Sequence, residues 1–447
     1  MGAAIALGRN SCLLHGAVQT IKSIEGAVPI IHSTAGCGVQ QYIGVSSLSG
    51  NAGSGRTGGL GLPSTNVLER QVVFGGNSRL REQLKNTVKI KEGDFYVVLT
   101  GCTPELVGDD VPAMTKELQD QFYKAIHVSA PGFKGSVHSG YTAAVTGILR
   151  QLDKLAEPEA GKRDRLVNLF GIIPEQDVFW QGNLQALQAD LEGAGAEVNV
   201  LLGPGSGLGE WSAVCTAALN LSFSPHSLEI CRLLEEQYGI PYVHTDGYPV
   251  GAEQTAGLLR TAAGSLNLDA ERLESWIALK EREERYYIVK SLDAYYRYGF
   301  QRKTVLVGDS GFVLGAARFL DRPLGLPALT VVITDDLPAA AQSDIRRRWA
   351  EAGNSAETEI VFAGDAAVID NLLARSGAEL VLGSSLEQAA ARRLEIPFLP
   401  VSFPVADRLV LNKSYAGSCG GLALLQDLGD AIIAAASRRL SAPATNQ

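Results

Sequence analysis

The sequence is poor in histidine, methionine and cysteine, and it has no strongly basic stretch. Its 447 residues include two methionines, six histidines and six cysteines, and no two of those cysteines are close neighbours. The short zinc and ferredoxin patterns place cysteines about two to four positions apart, so neither pattern is present. Six cysteines in so long a chain are also too few for a disulfide scaffold, which leaves buried hydrophobe, nucleophile or metal ligand as their roles. No His-x-x-x-His pair falls on a helical pattern and no histidine adjoins a credible serine or cysteine nucleophile, so hydrolase and zinc readings lack support. The net charge is −9 and no Lys/Arg stripe recurs, which argues against a nucleic-acid partner. The opening Met-Gly-Ala-Ala-Ile-Ala-Leu-Gly lacks the basic start, apolar run and cleavage site of a signal peptide. No stretch of about 18 apolar residues stands out as a bilayer span, and the expectation is a soluble, cytoplasmic protein without a membrane partner.

Hydrophobic residues make up 46% of the chain and charged residues 19%, the balance of an ordinary globular protein. The length calls for two or three domains. Strand-like apolar runs recur at Phe95 to Leu99, Leu166 to Ile173, Val198 to Leu202, Thr304 to Val307, Leu329 to Ile333, Glu359 to Phe362 and Leu380 to Leu382. Each precedes a glycine-containing turn or a helical pattern. That alternation predicts an α/β fold of three Rossmann-like domains with parallel sheets. The polar stretch from Asp153 to Arg165, with Pro158 and Gly161, marks one boundary, and the end of a helical stretch from Leu268 through Tyr298 marks another. The expected domains are 1–155, 162–299 and 300–447. Among the cysteines of the first of these, Gly44 to Ser64 carries seven glycines and is expected as an irregular loop.

Cys12, Cys37 and Cys102 have similar surroundings. Each sits among small or turn-forming residues, in Asn-Ser-Cys-Leu-Leu-His-Gly, Ser-Thr-Ala-Gly-Cys-Gly and Thr-Gly-Cys-Thr-Pro-Glu. Small neighbours leave room for a cluster several ångströms wide and free backbone N–H groups to bond its sulfides. Cys102 follows the run Phe95 to Leu99, at the carboxyl end of a strand, where ligands collect in open α/β sheets. From the residues alone two readings stand, convergence of the three thiols or three buried hydrophobic cysteines. Asp109 and Asp110 are read as helix caps. Cys215 and Cys231 lie in helical patterns and are read as core, and Cys419 in a glycine-rich turn is left out of the ligand set. His15 and His32 are read as hydrogen-bonded structural residues. Gly203-Pro-Gly-Ser-Gly-Leu-Gly after a strand offers free amides, but without the Lys-Ser/Thr of a P-loop it does not predict a nucleotide site.

Three segments carry a family resemblance: Ile24 through Cys37, Val73-Phe-Gly-Gly, and Thr100-Gly-Cys-Thr-Pro-Glu-Leu-Val-Gly-Asp-Asp-Val. With them the chain resembles the nitrogenase component 1 superfamily over nearly its whole length. The resemblance implies that Cys12, Cys37 and Cys102 supply one subunit's half of an iron–sulfur cluster shared across a subunit interface, of [8Fe-7S] P-cluster type in preference to [4Fe-4S]. Gly308 to Leu320 and Ile396 to Arg408 resemble the β-type subunit, with its Phe-Pro and Asp-Arg pair. The cysteine and histidine that hold the active-site cofactor in α-type subunits fall near Ser224 and Ser402, so no catalytic residue is assigned to this chain. Where Mo-nitrogenase β subunits place a serine beside the cluster, the similar segment offers Gly132, and their long extension before the first cysteine is missing. These features imply an α-type partner in an α2β2 heterotetramer and an ATP-dependent iron protein that passes electrons to the shared cluster. The favoured reaction is reductive C–S cleavage, as in methylthio-alkane reductases. The alternatives are a dinitrogen-reducing β subunit, a cofactor-assembly scaffold without turnover, or a binding protein with incidental cysteines.

Overall fold

A computed structural model describes residues 8–51 and 61–441. Its strands gather into three separate sheets. The first joins β1 (Ala27–His32), β2 (Phe95–Thr100) and β3 (Ala125–Ser129) in the order β1-β2-β3. The second joins β4 (Arg163–Phe170), β5 (Glu197–Asn199), β6 (Ala217–Ser222) and β7 (Tyr242–His244) in the order β5-β4-β6-β7. The third joins β8 (Thr304–Gly308), β9 (Ala328–Ile333), β10 (Glu359–Phe362), β11 (Leu380–Gly383) and β12 (Phe398–Pro400) in the order β10-β9-β8-β11-β12. All pairings within these sheets are parallel. Parallel neighbours need crossovers, which the intervening helices supply, and the α/β class expected from the sequence is the observed one.

Burial explains which runs become strands. All six residues of β2 are buried, so both faces are covered and the run reads as continuously apolar instead of alternating. Five strands are not apparent from the sequence: β1, β3, β6, β7 and β12. β1 holds Pro29, which is tolerated because β1 is an edge strand. The Ile31 N–H, two residues on and pointing the same way, donates outward to the Pro63 carbonyl at 2.8 Å. β6 follows a 3-10 turn, Ala213–Thr216, so Cys215 is buried in a turn and not in the expected helix. Cys231 does lie in a helix, Leu228–Tyr238.

Other expectations need correction. The region Gly44 to Ser64 is not wholly irregular, because the helix Ala35–Leu48 runs into it; residues 52–60 lie outside the described part of the chain. Cys419 sits exposed in the helix Gly417–Ser441, not in a turn. Asp110 caps Val111–Gln119 by accepting the Ala113 N–H at 3.1 Å. Asp109 instead reaches across to the Gly76 N–H at 2.7 Å and to His32 Nε2 at 3.0 Å. One helical stretch, Gly417–Arg438, is long and apolar enough by composition to cross a membrane, contrary to the expectation from sequence. It packs on Trp180–Gly193, Ala252–Ala263 and Ala270–Tyr298, and interior packing accounts for its apolar side. The last helix thereby returns to the middle segment, and one apolar core runs through residues of all three sheets.

Candidate metal centre

The first sheet brings its three carboxyl ends together, and the chain stitches them there by backbone hydrogen bonds. Gly101 N–H donates to the His32 carbonyl at 2.9 Å, and Ala130 N–H to the Thr100 carbonyl at 2.9 Å. Just beyond β1, Cys37 is the third residue of Ala35–Leu48; just beyond β2, Cys102 opens Cys102–Val107. Cys12 is the N-cap of Leu13–Lys22. All three thiols therefore stand at the start of a helix, where unpaired N–H groups and the helix dipole favour a thiolate and any anionic group bound to it. All three are half-buried.

Close neighbours hold the sulfurs. Cys102 Sγ accepts the Gly132 N–H at 3.1 Å. A Cβ on Gly132 would stand 3.2 Å from Cys12 Sγ and 3.3 Å from Cys102 Sγ, so these two thiols flank the same glycine. Cys37 Sγ lies 3.3 Å from Ser33 Oγ and 3.8 Å from Thr34 Oγ1, and its carbonyl accepts from His15 Nε2 at 3.3 Å. Burial lowers the pKa of His15, which keeps that ring neutral. Among the described residues no three His, Cys, Asp or Glu side chains are close enough to share one metal ion. The spacing of the thiols instead suits a polynuclear group several ångströms wide. Helix N-termini, an amide aimed at a sulfur and a glycine that leaves the space open are the surroundings such a group requires.

Cys12 is anchored from its other side by the third sheet. Gly8 bridges Asp365, Asn10 Nδ2 donates to the Thr334 carbonyl at 2.8 Å, and the buried Arg9 guanidinium donates to Ser384 Oγ at 3.1 Å and to Glu387. Beside this strand of chain a cleft of 630 Å³ opens, lined by Asn10, Cys12, Gly132, Ser136 and Asp335 among others.

The rim of the site is apolar and uncovered. Phe74 is 82% exposed, Leu106 76% and Val73 71%, with Val39, Leu68 and Phe133 also exposed. These residues come from the same short elements that carry or pack beside the cysteines, Glu69–Phe74 being in contact with Cys102–Val107. A contiguous exposed apolar rim around half-buried polar groups marks a protein interface.

The other positions singled out in the sequence lie elsewhere. Ser224 caps the turn Pro225–Ser227, accepting the His226 N–H at 3.3 Å, and Ser402 Oγ donates to the Val307 carbonyl at 2.6 Å. Both are buried and satisfied internally. Nothing in the sequence pointed to a buried cluster in which His138 stacks on His226 at 5.1 Å and His226 Nε2 stands 3.3 Å from Asp335 Oδ2. Its three residues come from three distant segments, and no short-range signal announces it. Burial pushes His138 down to about 4, and hydrogen bonding from His226 overcomes burial to hold Asp335 at about 2.

Residues 12–433 match the family described as nitrogenase component 1 type oxidoreductase. The chain belongs to that family. Within nitrogenase component 1 it is of β-chain type. It is 23% identical to the nitrogenase molybdenum-iron protein beta chain of Methanococcus maripaludis over 95% of this chain and 93% of that one. It is 24% identical to the vanadium-iron protein beta chain of Trichormus variabilis, over 94% and 92%. It is also 24% identical to the iron-molybdenum cofactor biosynthesis protein NifE of Clostridium pasteurianum, over 88% and 82%. In fold it is similar to a solved structure of nitrogenase Cp1 at pH 6.5, with a TM-score of 0.81 and 20% identity over 100% of this chain and 97% of that one.

Proposed function

We propose that the chain is the β-type subunit of a nitrogenase-like reductase, and that Cys12, Cys37 and Cys102 hold its half of an iron–sulfur cluster completed by an α-type partner. The observation that carries this reading is the half-built site. Three thiols stand at three helix N-termini, open on one side and ringed there by Val73, Phe74 and Leu106. When bound, such a cluster supplies one-electron transfer at a potential tuned by its surroundings. Around it, the Gly132 amide and the Ser33 hydroxyl would stabilise thiolate charge, and the apolar rim would exclude water once the partner is seated.

In this reading an ATP-dependent iron protein delivers electrons to an α2β2 heterotetramer in the cytoplasm, and a P-cluster of [8Fe-7S] type is favoured over [4Fe-4S]. The division 1–155, 162–299 and 300–447 is retained as three folding units with one sheet each. The favoured reaction is reductive C–S cleavage, in which two electrons and two protons convert R–S–CH3 to R–H and CH3SH. Its supports are Gly132 and the similar, low identity to molybdenum and vanadium β chains. A dinitrogen-reducing β subunit is the alternative within the same class. The similarity to NifE favours a second reading, an assembly scaffold without turnover.

The test is iron content and turnover of the complex purified with its partners. Cys37→Ala and Cys102→Ala should each remove cluster iron and activity together, and full iron in either variant would sink the ligand assignment. Steady ATP-dependent release of CH3SH supports the reductase; metal handed to an apo-protein without turnover supports the scaffold.

A further inference from the structure

The helix Ala270–Tyr298 buries Leu273, Ile277 and Glu284 and turns its opposite face to solvent. That face is not polar throughout. Val289 is 59% exposed at its centre, with Tyr286, Leu292 and Tyr296 exposed around it. Large apolar side chains grouped on one side of a surface helix are what a docking face presents.

The charges on this face give its occupant. Glu281, Arg285, Val289, Asp293 and Arg297 lie four residues apart and form one i±4n ridge. Read along the helix, their signs run negative, positive, apolar, negative, positive. Turned end for end about Val289, the ridge sets Arg285 against Asp293 twice and Glu281 against Arg297 twice. Set parallel in register, it would place like on like. The neighbouring positions follow the same symmetry, Tyr286 meeting Leu292 and Arg282 meeting the Tyr296 ring. Among the described residues Arg285 and Asp293 form no ion pair within the chain, so both are free to pair across an interface.

We propose that a second copy of this chain docks here, its Ala270–Tyr298 helix antiparallel to the first about a two-fold axis beside Val289. Such a contact is isologous and closes on itself, as a two-fold requires. Interdigitating i±4n ridges cross at roughly −50°, which keeps Val289, Arg285 and Asp293 at the centre and leaves the outer charges at the rim. The contact supplies the two-fold of the proposed heterotetramer, yet it uses a different face from the cysteines and needs no metal.

The test is sedimentation velocity of the full-length chain without metal, together with the native mass of the complex purified with its partners. Arg285→Asp and Asp293→Arg should each weaken self-association about tenfold or more, since each turns two attractions into two repulsions, and the double variant should recover it. Val289→Cys, on the axis, should cross-link one copy to another under mild oxidation. The proposal is overturned if the wild-type chain and complex hold a single copy, if the charge variants leave the mass unchanged, or if Arg285→Asp sheds a different subunit in place of a second copy. Loss of the iron assignment would leave these measurements unaffected, so the two proposals fail separately.

Discussion

Gly16→Ala is the sharpest test of how Cys12 is positioned. Gly16 lies in Leu13–Lys22, which Cys12 caps, and it meets the helix Val137–Leu149 where Gly140 faces it. A Cβ on Gly16 would stand 1.8 Å from the Val137 carbonyl oxygen, and one on Gly140 would stand 2.1 Å from the Leu13 carbonyl oxygen and 2.8 Å from the Gly16 Cα. Ordinary contact needs about 3.5 Å, so the helices must separate by well over an ångström. No rotamer relieves a clash between a Cβ and a backbone oxygen. Overpacking of this kind costs about 1–3 kcal/mol, partly offset by about 1 kcal/mol of better helix propensity. The net expectation is a loss of up to about 2 kcal/mol, a lower thermal midpoint and, because the capping residue moves with its helix, weaker iron retention. Gly257→Ala, in Ala252–Ala263, is the control, since a Cβ there meets nothing within 4 Å and should stabilise by about 0.5–1 kcal/mol. The assay is thermal unfolding of both variants beside the wild type, with iron content of each. A Gly16→Ala protein that melts at or above wild type would refute backbone contact as what holds this helix pair.

Three further outcomes follow from individual contacts. Arg9 and Glu387 form an ion pair whose side chains are 1% and 2% exposed, so Arg9→Ala leaves a buried carboxylate unpaired and should cost about 3–5 kcal/mol in chemical denaturation. Asp110→Ala removes a helix cap and should cost about 1 kcal/mol by the same measurement, whereas Asp110→Asn should cost little. His138 has its pKa depressed to about 4 by burial, whereas unfolded histidine titrates near 6.5, so the unfolded chain binds the extra proton first and stability is lost as pH falls through that window. The stability gap between wild type and His138→Gln should therefore shrink by up to about 3 kcal/mol between pH 7 and pH 4; a constant gap would show that this histidine does not titrate against burial.

Buried strands are legible in the sequence and the edges are obscure. β2, β8 and β9 are continuous apolar runs because both faces are covered, and such runs declare themselves. β1 is hidden by Pro29, which only an edge position permits. β7 and β12 span three residues each, too short for any periodicity. At the candidate site, Cys12, Cys37 and Cys102 stand out by their small neighbours, but their common setting at helix N-termini depends on three strand ends meeting, which is long-range information. Ser33 beside Cys37 and the Gly132 amide on Cys102 are invisible in the sequence for the same reason, as is the His138–His226–Asp335 cluster.

The strap that carries Cys12 also orders events in time. Arg9 is among the first residues made, yet its partners Ser384 and Phe403 come 375 and 394 positions later. Synthesis proceeds from the N-terminus, and a nascent chain cannot close a contact with residues not yet made. Cys37 and Cys102 can take their places once the first sheet forms, whereas the first cysteine to leave the ribosome is the last of the three to be locked. Metal loading is thereby deferred until the whole chain has been released and its third sheet has formed.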